Sequence, residues 1–281
     1  MELLGQGREA EVFLRPDGAV LKLLRPGFPE TGLHRELAAM RALAGHDGLV
    51  PRPVGIVTTR DRPGLVMERI PGADLLSTLA RSPWRLHSAG PLMAAVHARV
   101  HAVSAPAALP DLRAELDGRI RAAAGLPDRL RSFALSTLDG LPDGDRLCHG
   151  DLHLGNILDR GNSPVVIDWG NAARGDPVGD VARTLVLHRH ASPPPGSPLV
   201  MRVLAPPLRN DIVHRYLRAY RRLGRVSVPT LRRWEIVHTA ARLSERIEAE
   251  CSSLLRRLEA ALARADRAER SGHLGRASTH G

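Results

Sequence analysis

The sequence predicts an α+β protein with two lobes: a small N-terminal lobe of antiparallel strands plus one helix, and a larger, mostly helical lobe. Short apolar runs separated by strong turn signals fill residues 1–67, as expected for a small antiparallel sheet. Long stretches with apolar residues at helical spacing dominate residues 73–266. Between them, the Glu-Arg-Ile-Pro-Gly segment at residues 68–72 interrupts both patterns and is predicted to be a linker between the lobes.

The small lobe is predicted from alternating strand and turn signals with one helix inserted. The Arg-Pro-Asp-Gly segment at residues 15–18 is a strong turn signal between two strands. Residues Leu33–Leu43 have helical spacing and are predicted to form the helix of this lobe. The predicted strands are Glu2–Gly5, Glu11–Leu14, Ala19–Leu24, Val50–Thr58 and Leu65–Met67.

The larger lobe is predicted to consist mainly of amphipathic helices, with two short apolar runs at Asn156–Leu158 and Val165–Ile167. The third predicted helix is broken at residues 125–127, because a proline inside a helix removes a backbone donor. Residues 267–281 are polar and rich in glycine and serine, and they are predicted to form a flexible tail. The predicted helices are Asp74–Ala80, Pro91–Val103, Ala114–Leu138, Asn210–Leu223, Thr230–Glu248 and Ser252–Ala265.

A glycine-rich segment follows the first predicted strand. Gly5 and Gly7 belong to the pattern Gly-x-Gly-x-x-Ala-x-Val, in which Ala10 stands where a third glycine is usual. Glycines allow a backbone to approach phosphate groups closely and to direct N–H groups at them. A tight hairpin turn explains the same residues equally well, so this segment alone is a weak indication of phosphate binding.

Lys22 is the one lysine among the 40 Lys and Arg residues of the chain. Arginine presents a wide planar fork and lysine a compact ammonium group, so a single lysine indicates a place where the fork does not fit. Lys22 lies in the apolar strand Ala19–Leu24, where an ammonium group needs a counter-charge. Glu36 on the following helix is the predicted counter-charge, and Lys22 is predicted to bind phosphate groups of ATP.

Residues 147–158 contain the strongest motif of the chain, the pattern H-x-D-L-x-x-x-N beginning at His149. Asp151 is predicted to accept a hydrogen bond from a substrate hydroxyl group and to take its proton during phosphoryl transfer. Asn156 is predicted to direct its amide oxygen at Mg²⁺. An acidic loop with a capping asparagine is the alternative, but it accounts for fewer of the matching positions.

A second metal-binding residue is predicted where an apolar strand ends. Asp168 follows Val165–Ile167 and precedes Trp169 and Gly170, in the place of the D-F-G element with tryptophan for phenylalanine. Mg²⁺ prefers oxygen ligands and keeps several waters, so one carboxylate and one amide suffice beside the phosphates. The sequence therefore predicts Mg²⁺ between Asp168 and Asn156.

These motifs together resemble a known family. Residues 149–156 (His-Gly-Asp-Leu-His-x-x-Asn) are similar to the catalytic loop of the aminoglycoside phosphotransferase and choline kinase superfamily, which is itself similar to protein kinases. Residues 65–72 resemble its inter-lobe hinge, and residues 175–180 resemble the segment after its metal aspartate. The resemblance covers residues 1–185 by motif and the remainder only by helical character. It implies a bilobal protein-kinase-like fold with Mg·ATP between the lobes.

The resemblance also implies roles in and beside the catalytic loop. His153 stands where protein kinases usually carry lysine, and it is expected near the γ-phosphate. Asp180 is expected to begin a helix as its N-cap and, together with His149, to support the catalytic loop.

In the hinge, the resemblance implies contacts with the adenine ring. The backbone of Glu68 and Ile70 is expected to hydrogen bond the adenine edge, with Met67 packing behind it.

Two alternatives to a small-molecule kinase remain open at this point. A protein-directed kinase is disfavoured because only four residues separate Gly170 from Gly175, which leaves no room for a long activation loop. A catalytically silent ATP-binding regulatory module is disfavoured because such modules usually lose the lysine, the base or a metal ligand, all of which are present here.

The net charge of +10 raises nucleic-acid binding as a third alternative. Residues 1–208 carry 24 basic and 22 acidic side chains, whereas residues 209–281 carry 16 and 8, so the excess lies in the C-terminal helices. Because only 3% of residues are aromatic, base-stacking platforms are scarce. A solvated arginine-rich surface is the preferred interpretation.

Composition also limits the cellular compartment and the binding partners that can be expected. Two cysteines and the absence of a signal peptide or an apolar stretch of membrane-spanning length favour a cytoplasmic protein. The expected partner is a small hydroxylated molecule: an aminoglycoside or another antibiotic, a sugar, an amino alcohol or an amino acid. Nothing in the sequence indicates which of these it is, or an oligomeric state.

Overall fold

The N-terminal lobe is a five-stranded sheet. In the computed structural model, which describes residues 1–46, 48–160, 163–190, 199–224 and 226–277, the strands follow the order β1-β2-β3-β5-β4. Every neighbouring pair in this sheet is antiparallel. The strands are β1 (Glu2–Gln6), β2 (Ala10–Leu14), β3 (Val20–Leu24), β4 (Pro53–Thr59) and β5 (Arg62–Met67).

One helix, α1 (Thr31–Leu43), packs against β4 and β5. Its buried residues Leu33, Leu37 and Met40 recur at intervals of three and four, which places them on one face of the helix. Glu36 lies on the same buried face with 2% of its surface exposed. Helix α1 therefore carries a carboxylate into the interior of the small lobe.

Helices and two small antiparallel sheets form the larger lobe. Strand β6 (Arg146–Cys148) pairs with β9 (Ala173–Gly175), and β7 (Ile157–Leu158) pairs with β8 (Val165–Val166). The helices are α2 (Leu75–Arg81), α3 (Leu86–His101), α4 (Leu112–Ala122), α5 (Asp128–Asp139), α6 (Pro177–His190), α7 (Leu199–Leu223), α8 (Val228–Arg242) and α9 (Glu248–Ala277).

Two helix pairs organise the core of the larger lobe. Helix α3 packs along α7, and α6 packs along α8, which also contacts α4 and α5. Trp234 of α8 is fully buried, and its indole N–H donates to Asp176 Oδ2 at 3.0 Å. Because α8 touches α4, α5 and α6, it joins these helices to the segment that carries the site.

The predicted fold class is confirmed: an antiparallel sheet with one helix precedes a mostly helical lobe. The predicted break between α4 and α5 is also present. Helix α8 ends at Arg242, earlier than the predicted Glu248, because a short 3₁₀ turn follows and Arg246 has a positive φ of 54°.

The C-terminal end differs from the prediction. Helix α9 extends to Ala277, so residues 267–277 are helical where the composition predicts a flexible tail, and residues 278–281 lie outside the described residues. Alanine, arginine and glutamate at positions 267–270 favour continuation of a helix. The lobe boundaries at residues 67 and 73 stay predictions. No helix in the described ranges is long and apolar enough to cross a membrane.

Helices α3 and α7 approach each other closely at Gly90. A Cβ atom there would lie 2.7 Å from both the Ile212 carbonyl oxygen and the Tyr216 backbone nitrogen. Both atoms belong to the backbone and cannot rotate away, so this crossing requires glycine.

We expect Gly90→Ala to lower the free energy of unfolding by about 1–3 kcal/mol, because the new methyl group forces the two helices apart. Gly118→Ala is the matched control, since a Cβ at this exposed position of α4 meets nothing within 4 Å. The control should raise stability by about 0.5–1 kcal/mol, as alanine is the better helix former. Urea unfolding of the two variants measures both effects, and equal effects would contradict the close crossing.

Candidate active site

Lys22 joins the two lobes through carboxylates. Its ammonium Nζ lies 2.7 Å from Glu36 Oε2 on α1 and 2.7 Å from Asp168 Oδ1, which follows β8. Glu36 also accepts a hydrogen bond from the backbone of Trp169. The predicted pairing of Lys22 with Glu36 is therefore seen, and the structure adds a direct contact with the predicted metal ligand Asp168.

The two carboxylates keep Lys22 charged. Burial by itself would lower the pKa of Lys22, but the charges of Glu36 and Asp168 outweigh burial and raise that pKa above its ordinary value. Burial would raise the pKa of Asp168, but the Lys22 charge holds it below the usual value. At neutral pH the site therefore presents a fixed cation next to a fixed carboxylate, an arrangement suited to phosphate and a divalent metal.

The glycine-rich segment forms the turn between β1 and β2. The β1–β2 pairing is irregular between Leu3 and Gly5, and the Gly7 N–H donates to the Ala10 carbonyl at 2.8 Å. The Gly7 N–H is thus engaged within the hairpin, as the turn interpretation predicts. A Cβ at Gly5 would meet nothing within 4 Å, so the space beside this residue is open.

The catalytic loop begins where β6 ends and passes beneath the segment that follows Asp168. Gly150 has a φ of +77°, and a Cβ at this position would overlap the carbonyl oxygen of Asn171. Both the positive φ and the close approach require glycine. Gly150 therefore holds the segment beginning at Asp168 against the loop that carries Asp151.

Asn156 and Asp168 are brought together by the small β7–β8 sheet. The Ile167 N–H donates to the Asn156 carbonyl at 3.0 Å, which places Asp168 one residue beyond the pairing. The side-chain amide of Asn156 donates to the Asp151 carbonyl at 3.0 Å, so its amide nitrogen is occupied. The Asn156 amide oxygen and the Asp168 carboxylate are the hard donors that Mg²⁺ prefers, and the donor set fits the predicted metal.

Asp168 adopts an unusual backbone conformation with a φ of +65°. Aspartate tolerates this left-handed region better than most residues do. Its carboxylate is half exposed while the following Trp169 is fully buried and donates its indole N–H to the Val166 carbonyl at 3.2 Å. The buried tryptophan therefore anchors the segment, and the carboxylate beside it stays accessible to solvent.

His149 supports the loop from inside. The fully buried ring hydrogen bonds the Ile167 carbonyl through Nε2 at 3.1 Å, and Nδ1 accepts the Asp151 N–H at 3.2 Å. Burial lowers the pKa of His149, although the carboxylates of Asp180 and Asp151 oppose this shift. A neutral ring with its proton on Nε2 satisfies both bonds and ties Asp151 to the strand end before Asp168.

Asp180 binds the backbone of the catalytic loop directly. Its carboxylate accepts the N–H groups of His149 at 2.5 Å and Gly150 at 2.9 Å. Burial would raise the pKa of Asp180, but hydrogen bonds and charge interactions with His97 and His101 hold it well below the usual value. The supporting geometry expected of Asp180 is present.

The expectation that Asp180 is an N-cap is wrong. Asp180 lies inside α6 (Pro177–His190), and its carboxylate points at the catalytic loop rather than at its own helix. Asp176 lies just before this helix instead, and its Oδ1 accepts the Val178 N–H at 2.9 Å. Asp176 therefore caps the helix and Asp180, four residues later, supports the catalytic loop, whereas both roles were expected of Asp180.

A buried network of rings surrounds Asp180. The Nε2 atoms of His97 and His101 lie 2.9 Å and 3.2 Å from Asp180 Oδ2, and their Nδ1 atoms bond the Tyr216 and Tyr220 hydroxyl groups. With Nε2 protonated, each ring donates to the carboxylate and accepts from a tyrosine. His97, His101 and Asp180 could together bind a metal, but these hydrogen bonds explain their close approach without an ion.

His153 lies beside the predicted base with 40% of its side chain exposed. Its Nε2 is 3.9 Å from Asp151 Oδ2, and its Nδ1 accepts the Gly155 N–H at 3.1 Å. The backbone bond fixes the ring, so Nε2 faces the open side near Asp151.

The hinge residues follow directly after β5. Met67 is buried, and the Glu68 N–H donates to the Arg52 carbonyl at 2.9 Å. The Glu68 carboxylate in turn accepts the Arg52 N–H at 3.1 Å. The Glu68 N–H is therefore engaged within the protein, which leaves its carbonyl as the group to meet a nucleotide. Among the described residues, the Ile70 N–H has no hydrogen-bond partner.

Arg183 contacts the predicted base, and sequence reasoning missed it. Its guanidinium donates to Asp151 Oδ1 at 3.1 Å and to the Gly150 carbonyl at 3.1 Å. A third contact of 2.9 Å joins it to Glu245. The spacing of three residues from Asp180 places both side chains on one face of α6, which is the available sequence signal.

Two further arginines border the site and were also missed. Arg35 of α1 forms two hydrogen bonds of 2.9 and 3.0 Å with Glu115 of α4, which link the lobes a second time. Arg119 donates to Asn171 at 3.1 Å. These partners lie 80 and 52 residues apart in the chain, so no local pattern could reveal them.

The comparison with protein families decides the classification. The model of the phosphotransferase enzyme family (APH) matches residues 1–226, most of the chain. The chain belongs to this family. The matched range contains Lys22, Asp151, Asn156 and Asp168, and the predicted resemblance and phosphotransferase class are confirmed. No sequence among the curated proteins matches the chain significantly.

Solved structures with the same fold include several aminoglycoside phosphotransferases and a macrolide phosphotransferase. The aminoglycoside phosphotransferase APH(4)-Ia, as a thermostable mutant with AMP-PNP and hygromycin B, shares 17% identity at a TM-score of 0.63, covering 96% of this chain and 93% of that chain. The APH(2")-IIa complex with streptomycin and ATP shares 16% at 0.58, covering 91% and 90%. Macrolide 2'-phosphotransferase MphH from Brachybacterium faecium shares 23% at 0.53, covering 93% and 90%. At these low identities the similarity shows the fold.

Buried histidines of the larger lobe predict how stability depends on pH. Burial lowers the pKa of His97 and of His188 to about 4, and that of His238 to about 3. Unfolding returns these rings to ordinary values near 6.5, so the unfolded chain binds more protons at pH 5. The contribution of these three rings to the free energy of unfolding is therefore fully present above about pH 6.5, and it falls as the pH drops towards 4.

We expect each such ring to cost roughly 2 kcal/mol of unfolding free energy between pH 7 and pH 5. Urea unfolding of His188→Gln at the two pH values should show a loss smaller by about that amount. His34→Gln is the control for replacing a histidine by glutamine at an exposed position of α1. A parent-like loss in His188→Gln would contradict the prediction.

Proposed function

We propose that this phosphotransferase moves the γ-phosphate of Mg·ATP to a hydroxyl group of a small molecule. The observation that carries the proposal is the convergence of Lys22, Asp168 and Asn156 beside Asp151. A charged ammonium, two oxygen donors for a metal and a carboxylate beside an open position are the groups that phosphoryl transfer requires. No covalent intermediate with the protein is needed.

Each residue has one role in the proposed reaction. Lys22, held by Glu36, binds phosphate oxygens and offsets their charge. Asp151 orients the acceptor hydroxyl and accepts its proton as the oxygen bonds to phosphorus. His153, beside Asp151, donates a hydrogen bond to the transferred phosphate.

Asn156 and Asp168 are the residues that would hold Mg²⁺. When bound, the metal would offset the negative charge of the phosphate group that is transferred. The lowered pKa of Asp168 supports this role, because the carboxylate is ionised without the metal. His149 and Asp180 keep the loop in place and touch neither phosphate nor acceptor.

The nucleotide is proposed to lie between the sheet and the larger lobe. The carbonyl of Glu68 and the N–H of Ile70 would bond the adenine edge, above buried Met67. The β1–β2 turn with Gly5 and Gly7 would cover the phosphates, and the space beside Gly5 is open. The related APH(4)-Ia and APH(2")-IIa structures contain AMP-PNP and ATP, which supports a nucleotide of this class.

The acceptor is proposed to be a small hydroxylated compound, and its chemical class stays open. Structural relatives include phosphotransferases for aminoglycosides and for macrolides, so the fold accepts acceptors of different chemical classes. The four residues Lys22, Asp151, Asn156 and Asp168 favour catalysis over a silent regulatory module. Cys148 and Cys251 are free thiols, consistent with the proposed cytoplasmic location.

Asp151→Asn should lower kcat by roughly 10²–10⁴-fold while ATP affinity stays unchanged, because an amide cannot accept the proton. Asp145→Asn is the matched control, an exposed acidic residue ahead of β6 that should leave turnover unaffected. The assay follows Mg·ATP-dependent phosphate transfer to a panel of hydroxylated compounds that includes aminoglycosides, macrolides and sugars. Parent-like turnover in Asp151→Asn would overturn the assignment of the base.

The panel also separates the alternatives. A phosphorylated product that the Asp151→Asn variant fails to form would establish the kinase and name its acceptor class. If the protein binds ATP but forms no product, and if Asp168→Ala leaves its behaviour unchanged, the regulatory module is favoured.

A further inference from the structure

We propose that Arg183 is a positioning residue that sets the orientation of Asp151, and that a chain of alternating charges holds Arg183 in place. The inference rests on the proposed role of Asp151 as the base. Arg183 lies on α6, 32 residues after Asp151 in sequence, and its side chain is only 6% exposed.

The guanidinium of Arg183 uses each of its three nitrogens on a different acceptor. Nη2 bonds Asp151 Oδ1 at 3.1 Å, Nε bonds the Gly150 carbonyl at 3.1 Å, and Nη1 contacts Glu245 Oε1 at 2.9 Å. The planar fork carries its donors on three separate nitrogens in fixed directions, whereas the three donors of an ammonium group share one nitrogen and cannot reach acceptors spread this widely. The two contacts on the loop therefore fix the Asp151 carboxylate relative to its own backbone.

The contact distinguishes the two carboxylate oxygens of Asp151. Arg183 binds Oδ1, whereas Oδ2 is the oxygen that faces His153 at 3.9 Å. With Oδ1 held, Oδ2 is left to receive the proton of the acceptor hydroxyl. Arg183 thus acts through Asp151 and touches neither the acceptor nor the phosphate.

A chain of ion pairs holds Arg183 from behind. Glu245, in the turn after α8, contacts both Arg183 and Arg242 at 2.9 Å. Arg242 is in turn bound by both oxygens of Glu250 on α9, at 2.6 and 2.9 Å. The alternating charges run from the catalytic loop through α6 and α8 to α9.

Stability alone is a poor explanation for these pairs. Burying ion pairs has a desolvation cost that often offsets their attraction, and apolar residues would fill the same space at least as well. Arg189 offers a contrast on the same helix, because its partner is Glu235 of α8 at 2.5 Å. Of these two arginines, Arg183 is the one that contacts Asp151, the residue proposed to act as the base.

The test compares Arg183→Met and Arg183→Lys with the matched control Arg189→Met. We expect Arg183→Met to lower kcat roughly 10- to 100-fold with nucleotide KM within about twofold of the parent, since a base displaced by about 1 Å loses activity on this scale. Arg183→Lys should recover only part of the loss, because it keeps the charge but not the three-way geometry. Arg189→Met should keep the parent's kcat.

A crystal structure of Arg183→Met supplies a second readout that does not depend on turnover. We expect the Asp151 carboxylate to leave its present orientation while Asp180 keeps its bonds to His149 and Gly150. If Arg183→Met does not fold, Arg183→Lys serves for both readouts.

Parent-like kcat in the folded Arg183 variants, or an unmoved Asp151 carboxylate, would overturn the proposal. A purely structural role would lower the melting temperature and leave the kcat of the folded fraction unchanged. If parent and Arg189→Met transfer phosphate to no acceptor, the proposed function fails. The orientation of the Asp151 carboxylate in the crystal structure of Arg183→Met then tests the positioning role of Arg183 independently of turnover.

Discussion

The geometry of the site depends on one buried carboxylate, that of Asp180. A carboxylate without solvent contact needs hydrogen bonds and charges that replace water. Asp180 obtains them from two N–H groups of the catalytic loop and from His97 and His101 of α3. Because these partners come from different segments, the requirement to satisfy Asp180 brings α3, α6 and the loop together. Asp151 is the residue after Gly150, so the two hydrogen bonds to His149 and Gly150 determine its position.

Lys22 imposes a comparable constraint across the cleft. Its two carboxylate partners lie on α1 of the small lobe and after β8 of the larger one, so one cation relates the lobes to each other. The Arg35–Glu115 pair repeats this link between α1 and α4. A bound nucleotide would compete with Glu36 and Asp168 for Lys22, whereas the Arg35–Glu115 pair does not involve Lys22.

The arginine-rich composition is used for structure as well as for solubility. Arg183 and Arg242 are nearly buried, and each binds several acceptors at once through its planar fork. Not every arginine of residues 209–281 lies on the surface, because Arg242 is inside the protein and pairs with Glu245 and Glu250.

The sequence by itself determined the two-lobed α+β architecture and the residues of the proposed phosphoryl-transfer motif, because turn signals, helical spacing and the H-x-D-L-x-x-x-N pattern are local. It also determined the Lys22–Glu36 pair, since a lone lysine in an apolar strand needs a nearby carboxylate. Tertiary structure alone decided that Lys22 reaches Asp168, that Asp180 binds the loop and is not an N-cap, and that Arg183 holds Asp151. These contacts join residues 30 to 146 positions apart, and their distances depend on how helices pack, which no local pattern encodes.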